Sequence, residues 1–513
     1  MMKSTNNTPL LLLNPTTTTP TPSTTPSMYT TRSVVFFWCW LGLILVYSMR
    51  VNLSVAIVPM QQEYHWTNNV KGFVLGSFFI GYVVGQIPGG YLATKYGAKW
   101  VFGIGVLSTA LLTLLLPWSA CGTMFCPQHT HNGTSPSSSI SPDNSHILSL
   151  DLLRVLMGMF ESVTYPSLMA LLSQWAPPNE RGRIVSLTFS GAQIGTAIAF
   201  PLATYISSQQ KTNASDIEKL FERWPGVFYV FGVLGVLWFA GWSYFVSSSP
   251  INHPRISQAE LDFIKTSQQE EQKERSDQED EQLQQAQPYQ SSHQSSSHQP
   301  VPPGLYYALM TNSASLSIML NHFTNNWSLY LMLTWMPSYV DKMLPDKNHQ
   351  PSGTILFVPY LAMAVLCWGA GWLADWLIVK QTWSKRSVRL MMQLTGNLIP
   401  AAAFLLLGFT RERELALVVM IVAVSTSGFA YPGYSANCLD ICPKYTGILY
   451  SLSNTIATVP GIVAPVLAGM IVKTPPTFAQ WQIVFGIAAG LYIVGNVFYV
   501  KYCQGHEVKE LNP

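Results

Sequence analysis

About twelve long apolar runs constrain what this 513-residue chain can fold into more than any other feature of its sequence. Roughly twenty consecutive apolar residues cross a lipid bilayer as a helix, and each run comes close to that length. The runs are 34–58, 72–93, 100–118, 147–173, 184–207, 226–247, 314–338, 354–378, 390–409, 414–435, 447–472 and 480–500. Charged residues make up only 10% of the chain, whereas soluble domains carry roughly 25%. We therefore expect an all-α membrane protein with twelve transmembrane helices.

Polar segments divide these runs into two groups of six. Residues 1–33 form a Thr/Pro/Ser/Asn tail, and residues 248–313 include a Gln/Ser/His-rich tract. Such compositions bury too little apolar surface to fold, so we expect the tail and the tract to be disordered. The predicted order is a tail, a six-helix bundle over 34–247, a linker over 248–313, a second six-helix bundle over 314–500 and a C-terminal tail over 501–513.

The charges of the loops predict an orientation in the membrane. An even number of spans puts both termini on one side, where the loops at 94–99, 176–183 and 379–389 carry lysine and arginine. The positive-inside rule makes that side cytoplasmic. Two N-glycosylation sequons, at Asn132 and Asn213, lie in loops of the opposite side. The net charge of only +3 gives no case for nucleic-acid binding.

Ionisable residues inside the spans indicate a functional site. The fourth run holds Arg154 and Glu161, two helical turns apart on about the same face, and the first run holds Arg50. Charged groups at membrane depth are costly unless they face protein or water. If each run is a helix, the two arginines reach a similar depth and Glu161 lies near the middle of the membrane.

The chemistry of these three residues suits anion transport. Guanidinium groups hold carboxylate or phosphate by two-point contacts, so Arg50 and Arg154 are candidate anion ligands. A glutamate withdrawn from water favours its protonated form, so Glu161 is a candidate for proton coupling. Two structural alternatives remain open. Arg154 and Glu161 could form a salt bridge that holds the fourth span to a neighbour, and Arg50 could extend to the membrane interface.

Polar side chains in other spans are further candidates. Tyr82, Tyr165 and Asn325 could contact a substrate in a central cavity, and His322 could relay protons. Each is also a common residue for hydrogen bonding or packing between helices. Metal-ligand spacing, a nucleotide loop and a nucleophile–base set are all missing from the sequence. We therefore expect no metal or cofactor, and no enzyme activity.

A loop motif occurs once in each half of the chain. Gly90-Tyr-Leu-Ala-Thr-Lys-Tyr-Gly-Ala-Lys99 follows the second run, and Gly371-Trp-Leu-Ala-Asp375 follows the eighth. Both resemble the G-x-L-A-D-[RK]-x-G-[RK] loop of the major facilitator superfamily, although Thr94 stands where the family usually has aspartate. The resemblance implies two pseudo-symmetric six-helix bundles and a cytoplasmic gate motif. Its residues are Gly90, Lys95, Gly97, Lys99 and Asp375.

Further motifs narrow the resemblance to the anion:cation symporter group, solute carrier family seventeen. They include Arg50-Val-Asn-Leu-Ser-Val-Ala-Ile57, Gly76-Ser-Phe-Phe-Ile-Gly-Tyr82, Glu161-Ser-Val-Thr-Tyr-Pro166 and Trp175-Ala-Pro-Pro-Asn-Glu-Arg181. Members of this group include sialin, vesicular glutamate transporters and type I phosphate transporters. The resemblance implies that Arg50 and Arg154 hold the anion, and that Glu161 serves proton coupling or charge balance.

Some positions depart from the pattern of particular members. Leu75, Asn325 and Met169 stand where vesicular glutamate transporters carry histidine, arginine and histidine, so the match to a glutamate transporter is poor. Met157 stands where sialin has a second glutamate. Glu161 is therefore expected to titrate alone or together with His322.

We predict a secondary active transporter that moves an organic anion, an acidic sugar or a carboxylate, by alternating access. Protons are the expected coupling ion, and sodium is the alternative. An inorganic phosphate transporter and a non-transporting receptor on a carrier fold remain alternative functions. We expect a monomer whose partners are a small anion and the lipid bilayer, in a lysosomal or vesicular membrane rather than the plasma membrane.

Overall fold

The computed structural model describes residues 30–121, 144–177, 181–208, 223–267, 269, 304–344, 355–380, 383–442 and 445–511. Within these ranges all regular secondary structure is helical, and no strand occurs. The sequons at Asn132 and Asn213 lie outside the described residues, as do most of the N-terminal tail and the low-complexity part of the linker. The predicted all-α class is confirmed.

Twelve helical spans make up the bundles in the described part of the chain. The first six are Thr31–Glu63, Asn68–Tyr96, Ala98–Cys121, Asn144–Glu161 with Thr164–Trp175, Arg181–Ser208 and Arg223–Phe245. The second six are Ser313–Met343, Phe357–Val379, Lys385–Phe409, Arg413–Thr426 continued to Ala436–Ile441, Thr446–Ile471 and Phe478–Tyr502. We number them spans 1 to 12. Nine of the described helical segments are long and apolar enough to cross a membrane. Spans 2, 5 and 7 contain 29, 28 and 31 residues and also have the required length.

The two halves of the chain repeat the same helix packing. Span 1 packs against spans 5 and 6, and span 3 packs against span 6. In the second half, span 7 packs against spans 11 and 12, and span 9 packs against span 12. The halves meet where span 2 contacts span 11, where span 5 contacts span 8, and where span 1 contacts span 7. The prediction of two pseudo-symmetric six-helix bundles is confirmed.

Glycines bring the backbones of spans 2 and 4 into direct contact. A Cβ atom at Gly81 would lie 1.8 Å from the carbonyl oxygen of Val155. A Cβ atom at Gly158 would lie 1.8 Å from the carbonyl oxygen of Phe78. No side chain fits at either position, so the two helices cross at the closest distance that backbones allow. This crossing fixes span 2 against the middle of span 4.

Span 4 is interrupted, although its sequence predicts one continuous helix over 147–173. The helix ends at Glu161, Ser162 and Val163 form a turn, and a new helix begins at Thr164. Pro166 explains the break, because its ring nitrogen cannot donate to the Ser162 carbonyl and its ring crowds that group. The interruption directly follows the carboxylate that the sequence singles out.

Span 10 also departs from a regular α-helix. A short 3₁₀ segment, Ser427–Ala430, is followed by a π-helical turn, Tyr431–Ser435, that contains Pro432. Proline removes a backbone donor, and π-turns often occur where a helix lines a functional site. The apolar run 414–435 predicts neither the 3₁₀ segment nor the π-helical turn.

Hydrogen bonds join the two halves at the end of the bundle opposite to the chain termini, here called the far end. Asn68 at the start of span 2 donates through Nδ2 to the Val472 carbonyl after span 11. Lys342 at the end of span 7 donates through Nζ to Gln61 Oε1 of span 1 at 2.9 Å. These contacts close the far end of the interface.

Lys71 adds a further contact between the two halves at the far end. Its side chain is 0% exposed, donates through Nζ to Ser338 Oγ and lies 4.6 Å from the centroid of the Trp335 ring. Both partners belong to span 7, so Lys71 links the halves. The predicted run 72–93 begins one residue later and misses it, because the helix starts at Asn68.

Toward the end that carries the termini, span 8 packs on span 9 through Ala370 and Ala374 and leaves its other face open. A Cβ atom at Gly369 or Gly371 would meet nothing within 4 Å, and Trp372 is 70% exposed. At its other end the same helix packs on span 5, where Tyr360 stacks on Phe200 with ring centroids 5.4 Å apart. The hydrogen bonds between the described halves lie at the far end and further along span 2, where Gln86 bonds to Thr455 and Thr458 of span 11.

The interior of the second half contains a neutral amide cluster. Asn321 Oδ1 accepts hydrogen bonds from Gln393 Nε2 and Asn397 Nδ2, both at 3.1 Å. Asn321 Nδ2 donates to the Gly495 carbonyl at 2.9 Å, and Asn397 Nδ2 also donates to Asn496 Oδ1 at 3.1 Å. The cluster ties spans 7, 9 and 12 together without any charge.

Candidate functional site

A buried ion pair joins spans 1 and 4 at the centre of the first half. Arg50 Nε donates to Glu161 Oε1 at 2.6 Å, and Arg50 Nη2 contacts the same oxygen. Arg50 is 4% exposed and Glu161 is 1% exposed. The sequence predicts both residues at membrane depth, and the structure brings them into direct contact. Arg50 therefore does not extend to the membrane interface.

Arg154 adds a second buried guanidinium to this site. It is 2% exposed, and its Nε and Nη1 atoms have no hydrogen-bond acceptor. Glu161 is paired with Arg50 instead, and in the described part of the chain no carboxylate lies within 4 Å of Arg154. Arg154 and Glu161 therefore do not pair with each other, and the salt bridge that joins span 4 to a neighbouring span is the one between Glu161 and Arg50. Glu161 contacts only one of the two guanidinium groups, and Asp151, one helical turn before Arg154, is the other carboxylate that acts on Arg154 electrostatically.

Aromatic rings surround the two arginines. Arg50 Cζ lies 4.5 Å from the centroid of the Tyr47 ring, 4.8 Å from that of Tyr82 and 5.1 Å from that of Phe78. Arg154 Cζ lies 4.9 Å from the centroid of the same Phe78 ring. The negative face of an aromatic ring attracts a cation at such distances. Tyr82 therefore contacts the site as the sequence predicts, whereas Tyr47 and Phe78 are additional contacts.

Tyrosine hydroxyls extend the site toward the second half of span 4. Tyr165 follows the helix break, and its hydroxyl lies 2.7 Å from the hydroxyl of Tyr47. Tyr47 precedes Arg50 by three residues on the same helix face, which is the signal that could have identified it from the sequence. Tyr330 of span 7 closes the site from the other half, with its ring 4.4 Å from that of Phe79.

Asn325 is a described second-half residue whose side-chain amide is wholly unused in hydrogen bonding. It is 0% exposed, and both its Nδ2 and its Oδ1 lack a hydrogen-bond partner. Buried amides are normally satisfied, so an orphaned one commonly marks a position that a ligand or a water molecule completes. The residue lies in span 7, which contacts span 1.

His322 lies in the interior of the second half. Its Nδ1 is 2.9 Å from Ser453 Oγ, and its ring stacks on Tyr434 with centroids 4.7 Å apart. None of the contacts among the described residues joins His322 to Glu161. The two residues that the sequence proposes as proton carriers thus lie in different halves of the chain, and their joint role stays a prediction.

The gate motif lies at the terminal end of span 2 and span 8. Gly90 is part of span 2, and Gly97 ends that span with a φ of +88°, which favours glycine. Lys99 Nζ donates to the Ser243 carbonyl of span 6 at 3.0 Å, so it bonds within its own half. Lys95 and Asp375 are exposed.

Comparison with known proteins gives this geometry a context. Residues 39–465 match the family described as Major Facilitator Superfamily. Sialin of Homo sapiens is 33% identical over 535 residues, covering 98% of this chain and 94% of sialin. Vesicular glutamate transporter 3 of Danio rerio is 30% identical over 497 residues, covering 94% of this chain and 74% of that protein.

Solved structures agree on the fold. The crystal structure of a D-xylose–proton symporter superposes with a TM-score of 0.64 at 14% identity, covering 92% of this chain and 98% of that chain. A bacterial homologue of the human lysosomal transporter Spinster, in an inward-facing and occupied conformation, gives 0.66 at 12% identity, covering 94% and 99%.

The relatives named by sequence are transporters and not enzymes. The helical architecture, the matched family and the alignment to sialin over nearly the full length of both chains also indicate a transporter. The chain is a multi-pass membrane transporter that belongs to the major facilitator superfamily and, within it, to the sialin and vesicular glutamate transporter family of anion transporters, solute carrier family seventeen.

Proposed function

We propose that this protein carries a small organic anion, an acidic sugar or another carboxylate, together with a proton. The unpaired guanidinium of Arg154 is the observation that carries the proposal. A buried charge is strongly unfavourable unless an opposite charge and hydrogen bonds accompany it. An anion entering the site supplies both, because its oxygens accept from the unused donors of Arg154.

Glu161 is the proposed proton carrier. Its Oε1 contacts Arg50, whereas its Oε2 has no hydrogen-bond partner. Protonation of Glu161 removes the counter-charge of Arg50 and leaves that guanidinium available to the anion as well. The empty site with ionised Glu161 and the site loaded with one monoanion and one proton carry the same net charge. Both forms can therefore reorient across the membrane at a similar electrostatic cost.

Neutral groups favour an organic anion over inorganic phosphate. Tyr82, Tyr165 and Asn325 are the proposed substrate contacts beyond the arginines. Hydroxyl and amide groups hydrogen-bond to a neutral substrate body and discriminate well between polar substrates. Phosphate offers no such body.

We further propose a monomer in a lysosomal or vesicular membrane with both termini in the cytoplasm. The lysine and arginine residues of the loops on the terminal side support this orientation. A relative named as a vesicular transporter supports the membrane. In this orientation the terminal end of the bundle, which carries the gate motif, faces the cytoplasm.

Uptake into proteoliposomes tests the proposal. The probes are radiolabelled glucuronate, N-acetylneuraminate, aspartate, glutamate and inorganic phosphate, each with a pH gradient, a sodium gradient or no gradient. We expect one of the organic anions to accumulate only under the pH gradient. Uptake that is equally fast without a gradient would refute symport. Accumulation of phosphate alone would identify a phosphate transporter, and binding without accumulation would identify a receptor.

The Glu161→Gln variant tests the proton carrier. Glutamine is nearly isosteric but cannot titrate, so concentrative uptake should be lost and the remaining exchange of labelled for unlabelled anion should become independent of pH. The matched control is Glu414→Gln, which removes an exposed carboxylate at the far end of span 10. A Glu161→Gln variant that keeps the wild-type pH profile would assign proton coupling elsewhere.

A further inference from the structure

Phe78 is the one ring that contacts both arginines of the site among the described residues. The Cζ atoms of Arg50 and Arg154 lie 5.1 Å and 4.9 Å from its centroid. The ring is fully buried, and a cation over an aromatic face is attracted more strongly when both are removed from water. For Arg154, which has no described carboxylate within 4 Å, this ring is a direct contact that favours the charged guanidinium.

The backbone of Phe78 is held rigidly against span 4. Its carbonyl oxygen touches Gly158, where no Cβ atom would fit. Gly158 lies between Arg154 and Glu161 on the same helix. The backbone that carries the ring is therefore fixed relative to the two residues of span 4 that form the site. A displacement of this backbone requires the two helices to separate.

The contacts of the ring and of an anion are compatible. An aromatic ring attracts the face of a guanidinium, whereas an anion accepts hydrogen bonds from the N–H groups at its edge. Phe78 can thus hold both guanidiniums in place before, during and after anion binding. Groups held in the binding geometry beforehand lose less conformational entropy when the ligand arrives.

We propose that Phe78 is a positioning residue that orients Arg50 and Arg154 for the anion. The inference rests on the proposed function of these arginines and adds a residue that never touches the substrate. It assigns a role to the first phenylalanine of the Gly76-Ser-Phe-Phe79 motif. The requirement is for an aromatic ring and not only for apolar volume.

The Phe78→Leu variant removes the ring and keeps a buried apolar side chain. With glucuronate and N-acetylneuraminate as probes, we expect a rise in KM of about ten-fold, since a buried cation–π contact is worth that much in binding. The maximal rate should change little, because the leucine variant still carries both arginines and Glu161. The ring-retaining variant Phe78→Tyr should restore the KM.

Phe102→Leu is the matched control, since Phe102 is also fully buried in the first half but packs on Trp238 and Trp242. Thermal unfolding of all variants in detergent reports whether they fold. Equal KM effects at positions 78 and 102 would overturn the inference, as would a lower KM in Phe78→Leu, which would mean that the ring competes with the anion. Absence of anion uptake by the wild-type chain would refute the proposed function and this inference together, whereas wild-type uptake with an unaltered Phe78→Leu KM would refute only the inference.

Discussion

The two halves share one packing scheme but bury opposite kinds of polar group. The first half buries Arg50, Arg154 and Glu161 around aromatic rings. The second half buries the amides of Asn321, Gln393, Asn397 and Asn496, which bond to one another. Amide groups can bond to one another without a net charge, whereas two guanidiniums and the one carboxylate they face leave a net positive charge. Asn397 Oδ1 and Asn496 Nδ2 stay without a partner, but they are neutral, so the difference between the halves is one of charge and not of complete hydrogen bonding.

The second half does contain a largely buried ion pair, between Arg389 and Asp440. Unlike the site in the first half, this pair has a structural role. Arg389 Nε donates to Asp440 Oδ2 at 2.7 Å, and Nη1 donates to the Pro432 carbonyl of the π-turn at 3.0 Å. Each nitrogen of this guanidinium donates to an acceptor, which is either the Asp440 carboxylate or the Pro432 carbonyl. It stabilises the joint between spans 9 and 10 and leaves no charge for a substrate.

Replacing one arginine in each half should give the largest effects and should separate substrate binding from stability. Arg154→Leu should lower uptake by about 100-fold or more, because truncation of a buried charged contact costs several kcal/mol. Its unfolding temperature should not fall, since the change removes a buried guanidinium that has two donors without an acceptor. Arg389→Leu leaves Asp440 without its partner and should lower the unfolding temperature while the KM for the anion stays unchanged.

Uptake kinetics and thermal unfolding of the two variants, each reconstituted from the same preparation, provide the measurement. Arg154→Lys, which keeps the charge, should recover part of the uptake. A strongly destabilised Arg154→Leu protein with normal KM would show that Arg154 is structural and would invert the assignment of roles.

Asn321→Leu probes the neutral cluster and should have an intermediate effect. The change removes the acceptor of Gln393 Nε2 and one of the two acceptors of Asn397 Nδ2, and it breaks the hydrogen bond to the Gly495 carbonyl of span 12. We expect a loss of about 1–3 kcal/mol in the free energy of unfolding, with the KM for the anion unchanged. Chemical or thermal denaturation together with uptake kinetics measures both. An increase in KM without destabilisation would place Asn321 in the substrate site.

His322→Gln should have the smallest effect. Glutamine can keep a hydrogen bond to Ser453 but cannot titrate near neutral pH. Because the contacts of His322 are to Ser453 and Tyr434 of its own half, we expect the pH profile of uptake to stay in place. A displaced profile in His322→Gln, with a normal unfolding temperature, would bring the second half into the proton path.

The sequence predicts the outline of this fold because span length and loop composition are local properties. A run of apolar residues forms a membrane helix whatever its neighbours are. The interruption of span 4 is also local in origin, but a proline in a membrane helix is often tolerated without a break. Whether Pro166 ends the helix at Ser162 depends on the packing around it, which the sequence does not display.

The pairing inside the site depends on helix rotation, and this is what a run of apolar residues leaves undetermined. Depth along the membrane places Arg50, Arg154 and Glu161 near each other, and that much follows from residue numbers. Which arginine reaches the carboxylate depends on how spans 1 and 4 face each other. The roles of Phe78 and Lys71 were likewise hidden, since an isolated phenylalanine or a lysine at the edge of a run has no distinctive pattern.

The glycine crossing between spans 2 and 4 has a mechanical consequence for the transport cycle. Backbones in direct contact at Gly81 and Gly158 cannot slide or tilt past each other without opening a void, so this part of the first half moves as one block. The geometry of Arg154, Glu161 and Phe78 is then the same whichever side of the membrane the site faces. The contacts that must change in each transport cycle are then those between the halves, such as the hydrogen bonds of Lys71 and Asn68. These bonds have to break and form again each time a substrate crosses.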